Sequence, residues 1–116
     1  MTPKLDIQSH FEGKDPLVKQ MFDKLLKGAQ KFGPVKVEPK QTSIHLANRF
    51  GFAGVYTRKN YINLEIHLAY PLKSTRVTKL DQASANRYHH TIVLRSLDEI
   101  DSELFNWLQE AYLLKR

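Results

Sequence analysis

The sequence predicts an α+β fold: a two-layer sandwich whose mainly antiparallel five-stranded sheet carries an N-terminal and a C-terminal helix on one face, in the order α-βββββ-α. Three observations predict it. Stretches with a 3.6-residue apolar period stand near both ends, at residues 16–32 and 97–115. The residues between them alternate apolar and polar with period two. Pro39-Lys40-Gln41, Asn48-Arg49-Phe50-Gly51 and Arg58-Lys59-Asn60 punctuate that middle as turns. At 116 residues the chain is read as one domain, 1–116, long enough for a single two-layer core.

Residues 1–11 are expected to be a short extended lead-in. Asp15-Pro16 opens the first helix, with Asp as N-cap and Pro at the first helical position, where its missing N–H costs nothing. At 100° per residue Val18, Met21, Phe22, Leu25, Leu26, Ala29 and Phe32 share one arc. The lysines fall on the opposite arc, which is read as a solvated face. Gly33-Pro34 ends the helix.

Short strands follow at residues 35–38, 43–47 and 52–57; the inward phase of the third is not readable. The clearest strand is 61–68, with Ile62, Leu64, Ile66 and Leu68 on one face and Tyr61, Asn63, Glu65 and His67 on the other. Such alternation marks a sheet with one face buried and one wet. Residues 69–87, AYPLKSTRVTKLDQASANR, show neither period and are expected to form a long basic loop. A last strand over 88–95 turns Tyr88, His90, Ile92 and Leu94 inward, so His90 is read as a satisfied core histidine. Ser96-Leu97-Asp98-Glu99 is a capping box. The helix beyond it aligns Leu97, Ile100, Leu104, Trp107, Leu108, Ala111 and Leu114, with Phe105 and Tyr112 beside the stripe.

Composition excludes several classes. There is no cysteine, hence no disulfide and no thiolate metal site. The amino terminus lacks the apolar core of a secretory signal, and no apolar run reaches the roughly 18–20 residues of a membrane span. A cytoplasmic location and no membrane partner are therefore expected. The net charge of +6, from 18 Lys and Arg against 12 Asp and Glu, favours anionic partners without specifying one.

The wet face gathers His45, Glu65, His67 and, by its phase, His89. Imidazoles beside a carboxylate suit zinc or acid–base chemistry. Against that, His45 and His67 lie about 9.5 Å apart across an intervening strand, and no HExxH-type spacing is present. The plain reading is a row of solvent-facing polar residues; no metal, no cofactor and no catalytic residues are expected. Ser, His and Asp show no triad spacing, and Gly51-Phe52-Ala53-Gly54 is not a phosphate loop. Glu12-Gly13-Lys14 offers a lysine near a helix start, read first as a docking turn and second as an anion contact. Nucleic acid would have Arg49, Arg58 and Lys59 on the turns and Lys73, Arg76, Lys79 and Arg87 on the loop.

The runs His10-Phe11-Glu12-Gly13-Lys14-Asp15-Pro16, Glu38-Pro39-Lys40-Gln41-Thr42-Ser43-Ile44 and Phe52-Ala53-Gly54-Val55, with Leu97-Asp98-Glu99-Ile100-Asp101 and Trp107-Leu108-Gln109-Glu110-Ala111-Tyr112, resemble a small prokaryotic domain family. It is domain of unknown function 5655. The resemblance implies a shared fold over nearly the whole chain and no activity. The element order also resembles the frataxin-like arrangement, by analogy only. Iron-handling members of that fold present acids on the first helix, where this chain presents lysines.

The expectation is a non-catalytic binding module for an anionic small molecule or partner, using the open sheet face and the basic 69–87 loop. The candidate binding residues are His45, Arg49, Tyr61, Asn63, Glu65, His67 and Arg87. A nucleic-acid-binding accessory domain and a small enzyme with its site under the 69–87 loop are the alternatives. A pure protein-interaction role would instead expose Phe105, Tyr112 and Leu113 as an apolar patch.

Overall fold

The computed structural model describes residues 6–114, so the outermost part of the expected lead-in and the closing Lys115-Arg116 lie outside the described residues. Within them the two helices are α1 (Pro16–Ala29) and α2 (Ser102–Leu113). The strands are β1 (Lys36–Pro39), β2 (Ile44–Ala47), β3 (Gly51–Thr57), β4 (Ile62–Leu68), β5 (Val77–Ser84) and β6 (Arg87–Leu94). They form one antiparallel sheet in the order β1-β2-β3-β4-β6-β5. The α+β class and the antiparallel sheet with two helices are as the sequence predicts. The sheet has six strands rather than five.

The sixth strand lies inside the segment expected to be a loop. β5 pairs with β6 at the sheet's edge, and all its residues but Val77 are exposed. With both faces wet there is no apolar alternation to read, so the period-two signal is missing for a physical reason. Its register against β6 shifts at Val77/Lys79 and again at Gln82/Ser84. Such bulges, with Lys79 and Asp81 on the strand, discourage a free edge from pairing with another chain.

α1 follows from its N-cap: the Asp15 carboxylate accepts from the Leu17 amide at 2.9 Å, with Pro16 at the first position. Its apolar arc buries Val18, Met21, Phe22, Leu25 and Ala29 completely or nearly so. Each large side chain buried in this way contributes about 1.5–3 kcal/mol. The arc faces Ile44, Leu46, Val55, Ile62, Leu64, Ile66, Ile92 and Leu94 from the sheet, in one continuous core. β3 resolves its phase through a bulge: Leu46 pairs with Ala53 and Ala47 with Gly51, leaving Phe52 as the extra residue. Phe52 then meets Tyr112 edge-on at 5.3 Å.

The second helix begins later than its stripe suggests. The Ser96–Glu99 capping box forms, but it closes only a 3₁₀ turn, Leu97–Glu99. Ile100 leaves helical geometry, and Asp101 caps anew by accepting from the Leu104 amide at 3.0 Å. Arg76 clamps this restart, binding Asp101 and Glu103 at 3.0 Å each and donating to the Glu99 carbonyl. Its guanidinium lies over Trp107, 5.6 Å from the ring centroid. Arg76, expected on a basic loop, is therefore engaged by acids.

Near the N-terminus, Ile7–His10 forms a 3₁₀ turn rather than an extended segment. Lys14 ties it to the sheet: its ammonium donates to the His10 carbonyl and the Thr57 hydroxyl at 2.6 Å each. The Glu12-Gly13-Lys14 run is thus the docking turn, with Gly13 at φ 69°. His90 is fully buried and satisfied as expected: Nε2 accepts from the Leu72 amide at 2.8 Å, while Nδ1 faces the Tyr88 and Ile66 carbonyls. Among the described residues no helix is long and apolar enough to cross a membrane.

Candidate functional site

With both helices on one face, the other face of the sheet carries polar side chains, among them Glu38, His45, Tyr56, Glu65, Asp81 and His89. β4 places Asn63, Glu65 and His67 there by its two-residue period. Pairing then decides which of them meet. Glu65 stands opposite Gly54 on one side and Thr91 on the other, and Gly54 in turn stands opposite His45. His67 stands opposite His89.

Glu65, His67 and His89 converge. The Glu65 carboxylate lies 3.0 Å from His67 Nε2 and 3.5 Å from His89 Nδ1. The two imidazoles stack, with centroids 3.9 Å apart and planes 18° from parallel. His67 Nδ1 faces the Gly51 carbonyl at 3.2 Å. A carbonyl only accepts, so the Gly51 contact takes a hydrogen from Nδ1; Nε2 is the nitrogen turned to Glu65, whose carboxylate likewise accepts.

Electrostatics separates the roles. The hydrogen bond from His67 holds the Glu65 carboxyl below its usual range, outweighing the opposing effect of burial. Burial, helped by the neighbouring His67, holds the His89 imidazole below its usual value, against Glu65 and Asp81. Burial and the Lys40 charge do the same for His45. At neutral pH the Glu65 carboxylate stands beside an uncharged His89 imidazole, with an uncharged His45 nearby and Glu38 and Asp81 opposite His45 and His89. Such a set can ligate a cation, exchange a proton or hydrogen-bond a polar ligand.

His67 also reaches a second feature. A cavity of about 500 Å³ opens where the β2–β3 turn meets the last turn of α2. Asn48, Arg49, Phe50, Gly51 and Phe52 form one wall, and Ala111, Tyr112, Leu113 and Leu114 another; His67 and Arg87 complete the lining. Arg49 is exposed and, among the described residues, has no hydrogen-bond or ion-pair partner. Among the described residues no Asp or Glu lines it.

The seven candidate residues thus divide. Arg49, His67 and Arg87 meet at the cavity, and His45, Glu65 and His67 share the sheet face. Tyr61 and Asn63 lie towards the far end of β4; Tyr61 sits beneath the Arg95 guanidinium, 4.7 Å from its ring centroid. Arg58 and Lys59 follow β3, whereas Arg49 precedes it, about 20 Å away along a strand of that length. The basic turns are not one patch.

His89 is the partner that the binding set omitted, although its phase placed it on the right face. The apolar walls carried no local signal, because Phe50 and Phe52 are about sixty residues from Tyr112 and Leu113 in the chain. Phe105 is half-buried and Tyr112 buried, so of the expected apolar patch only Leu113 is open, at 63% exposure.

Read over residues 7–115, the chain matches the family described as Domain of unknown function (DUF5655), and it belongs to that family. No curated protein and no solved structure matches it. The frataxin-like likeness therefore rests on element order alone.

Proposed function

We propose that the protein is a binding module for a small amphiphilic anion, held in the cavity between the β2–β3 turn and the end of α2. The observation that carries this reading is the cavity's lining: two guanidinium groups and an imidazole, no Asp or Glu among the described residues, and aromatic and aliphatic walls. A volume of about 500 Å³ falls in the usual range for small-molecule sites. Arg49 supplies a fork suited to a carboxylate or phosphate. Arg87 adds positive field, and the His67 ring completes the polar end of the lining. Phe52, Tyr112 and Leu114 take the apolar part of the ligand. The 69–87 segment contributes through Arg87 at the start of β6 rather than as a loop over the site.

The test is a thermal-shift screen of the full chain, with chelator present, against aryl and aliphatic carboxylates, phosphomonoesters and nucleic acids. A ligand at a hundred times its dissociation constant adds about 2.7 kcal/mol of stability. The expected result is a shift with one class of small anion that is abolished by Arg49→Ala. Shifts from polymers alone, lost at moderate salt, would overturn it in favour of nucleic acid.

A further inference from the structure

We infer that Glu65, His67 and His89 form a binding site for a borderline divalent cation, zinc being the reference ion, on the open face of the sheet. The inference shares His67 with the anion reading but uses neither Arg49 nor the rest of the cavity lining, so Arg49→Ala should leave cation binding unchanged.

Three observations carry it. First, each residue offers one donor atom, and these atoms lie within 4.8 Å of one another. Donors held tetrahedrally at 2.0–2.1 Å from zinc stand roughly 3.4 Å apart. The Glu65–His67 and Glu65–His89 separations, 3.0 and 3.5 Å, already bracket that spacing.

Second, His67 is oriented by the Gly51 carbonyl, which engages Nδ1 and directs Nε2 towards the cluster. Metal-bound histidines ordinarily donate their other ring N–H to a carbonyl or carboxylate in this way. Third, the three side chains are 16–32% exposed, sheltered enough to be ordered and open enough for an ion to enter.

Binding requires one rearrangement. In stacked rings the nitrogen lone pairs run side by side, so the imidazoles must tilt apart to converge on an ion. His89, the more exposed of the two at 32%, has the room to turn. Two imidazoles and a carboxylate select zinc, cobalt, nickel or iron over magnesium and calcium, which prefer oxygen-only shells. Three protein ligands leave coordination positions for solvent or another ligand.

The test is calorimetric titration of chelator-stripped full-length protein with Zn²⁺, alongside Co²⁺ followed by visible absorption. One equivalent should bind, and Glu65→Gln and His89→Ala should each weaken it by about 100-fold or more, since even outer-shell losses cost about 10–100-fold. Mg²⁺ and Ca²⁺ should not compete. Should His89→Ala fail to fold, imidazole NMR of the unaltered protein decides: Zn²⁺ should move the His67 and His89 ring signals and spare His10. Absence of binding, competition by Mg²⁺, or an affinity unchanged in a folded Glu65→Gln variant would each overturn the inference.

Discussion

The ring of Phe105 occupies the space that a Cβ on Gly28 would need, with Cε1 only 2.2 Å from the ideal position of that atom. α1 and α2 therefore meet through a glycine, and the half-buried Phe105 closes the gap between them.

It follows that Gly28→Ala, normally favourable inside a helix, should here cost about 1–3 kcal/mol through overpacking. Urea unfolding of the variant measures it. In a Phe105→Ala background the penalty should vanish, because the clashing atoms are gone. A penalty that persisted there would locate the cost in the backbone instead.

Gly54 should behave in the opposite way. A Cβ there would lie 3.4 Å from the Tyr56 ring and 3.9 Å from both Glu65 and His45, which is ordinary contact. Its backbone is not in the left-handed region. Gly54→Ala should then leave stability unchanged or raise it by about 0.5–1 kcal/mol, as a methyl replaces glycine in a strand. Thermal unfolding checks this, and a clear loss would show that the space between His45 and Glu65 must stay open for the sheet itself.

Asp101 combines a cap with an ion pair, and two substitutions separate them. Asp101→Ala removes the acceptor for the Leu104 amide and should cost about 1 kcal/mol. Asp101→Asn keeps a capping oxygen and loses only the charge facing Arg76, an exposed pair whose loss should cost less than about 1 kcal/mol.

The same carboxylate sets a pH dependence. Burial pushes its pKa up, but the Leu104 amide and Arg76 outweigh this and hold it below the ordinary 3.8. The unfolded chain therefore takes up the proton first as pH falls. The stabilisation is complete above the ordinary value and is lost as pH drops through the lower folded one. Denaturation of Asp101→Asn across that window should show a shallower decline than the unaltered protein.

The parts that could be read from sequence are those where one face is wet and the other dry. α1 and β4 declare themselves because Met21, Phe22 and Leu25, like Ile62, Leu64 and Ile66, recur at the period of their element. β5 did not, because a strand exposed on both faces has no reason to alternate. The start of α2 was misplaced because Leu97 and Ile100 fit the helical stripe while the backbone at Ile100 does not. Of the site, Glu65 and His67 were placed together by the two-residue period alone. That His89 completes the group depends on register, and that Arg49 and Arg87 line one cavity depends on the β3 and β6 pairings with β4, which bring the starts of both strands to the same end of the sheet. Neither is a local property of the chain.

β5 makes the sheet asymmetric in its tolerance for change. The core closes without it, since β6 already pairs with β4 and supplies the buried Ile92 and Leu94. Drift, insertion or a change of length between residues 77 and 84 would fall on an appendage, whereas the same event in β4 would strike both layers. Diversity among members of this family should therefore collect at that edge, where a lineage can trial new surface chemistry beside an unaltered interior.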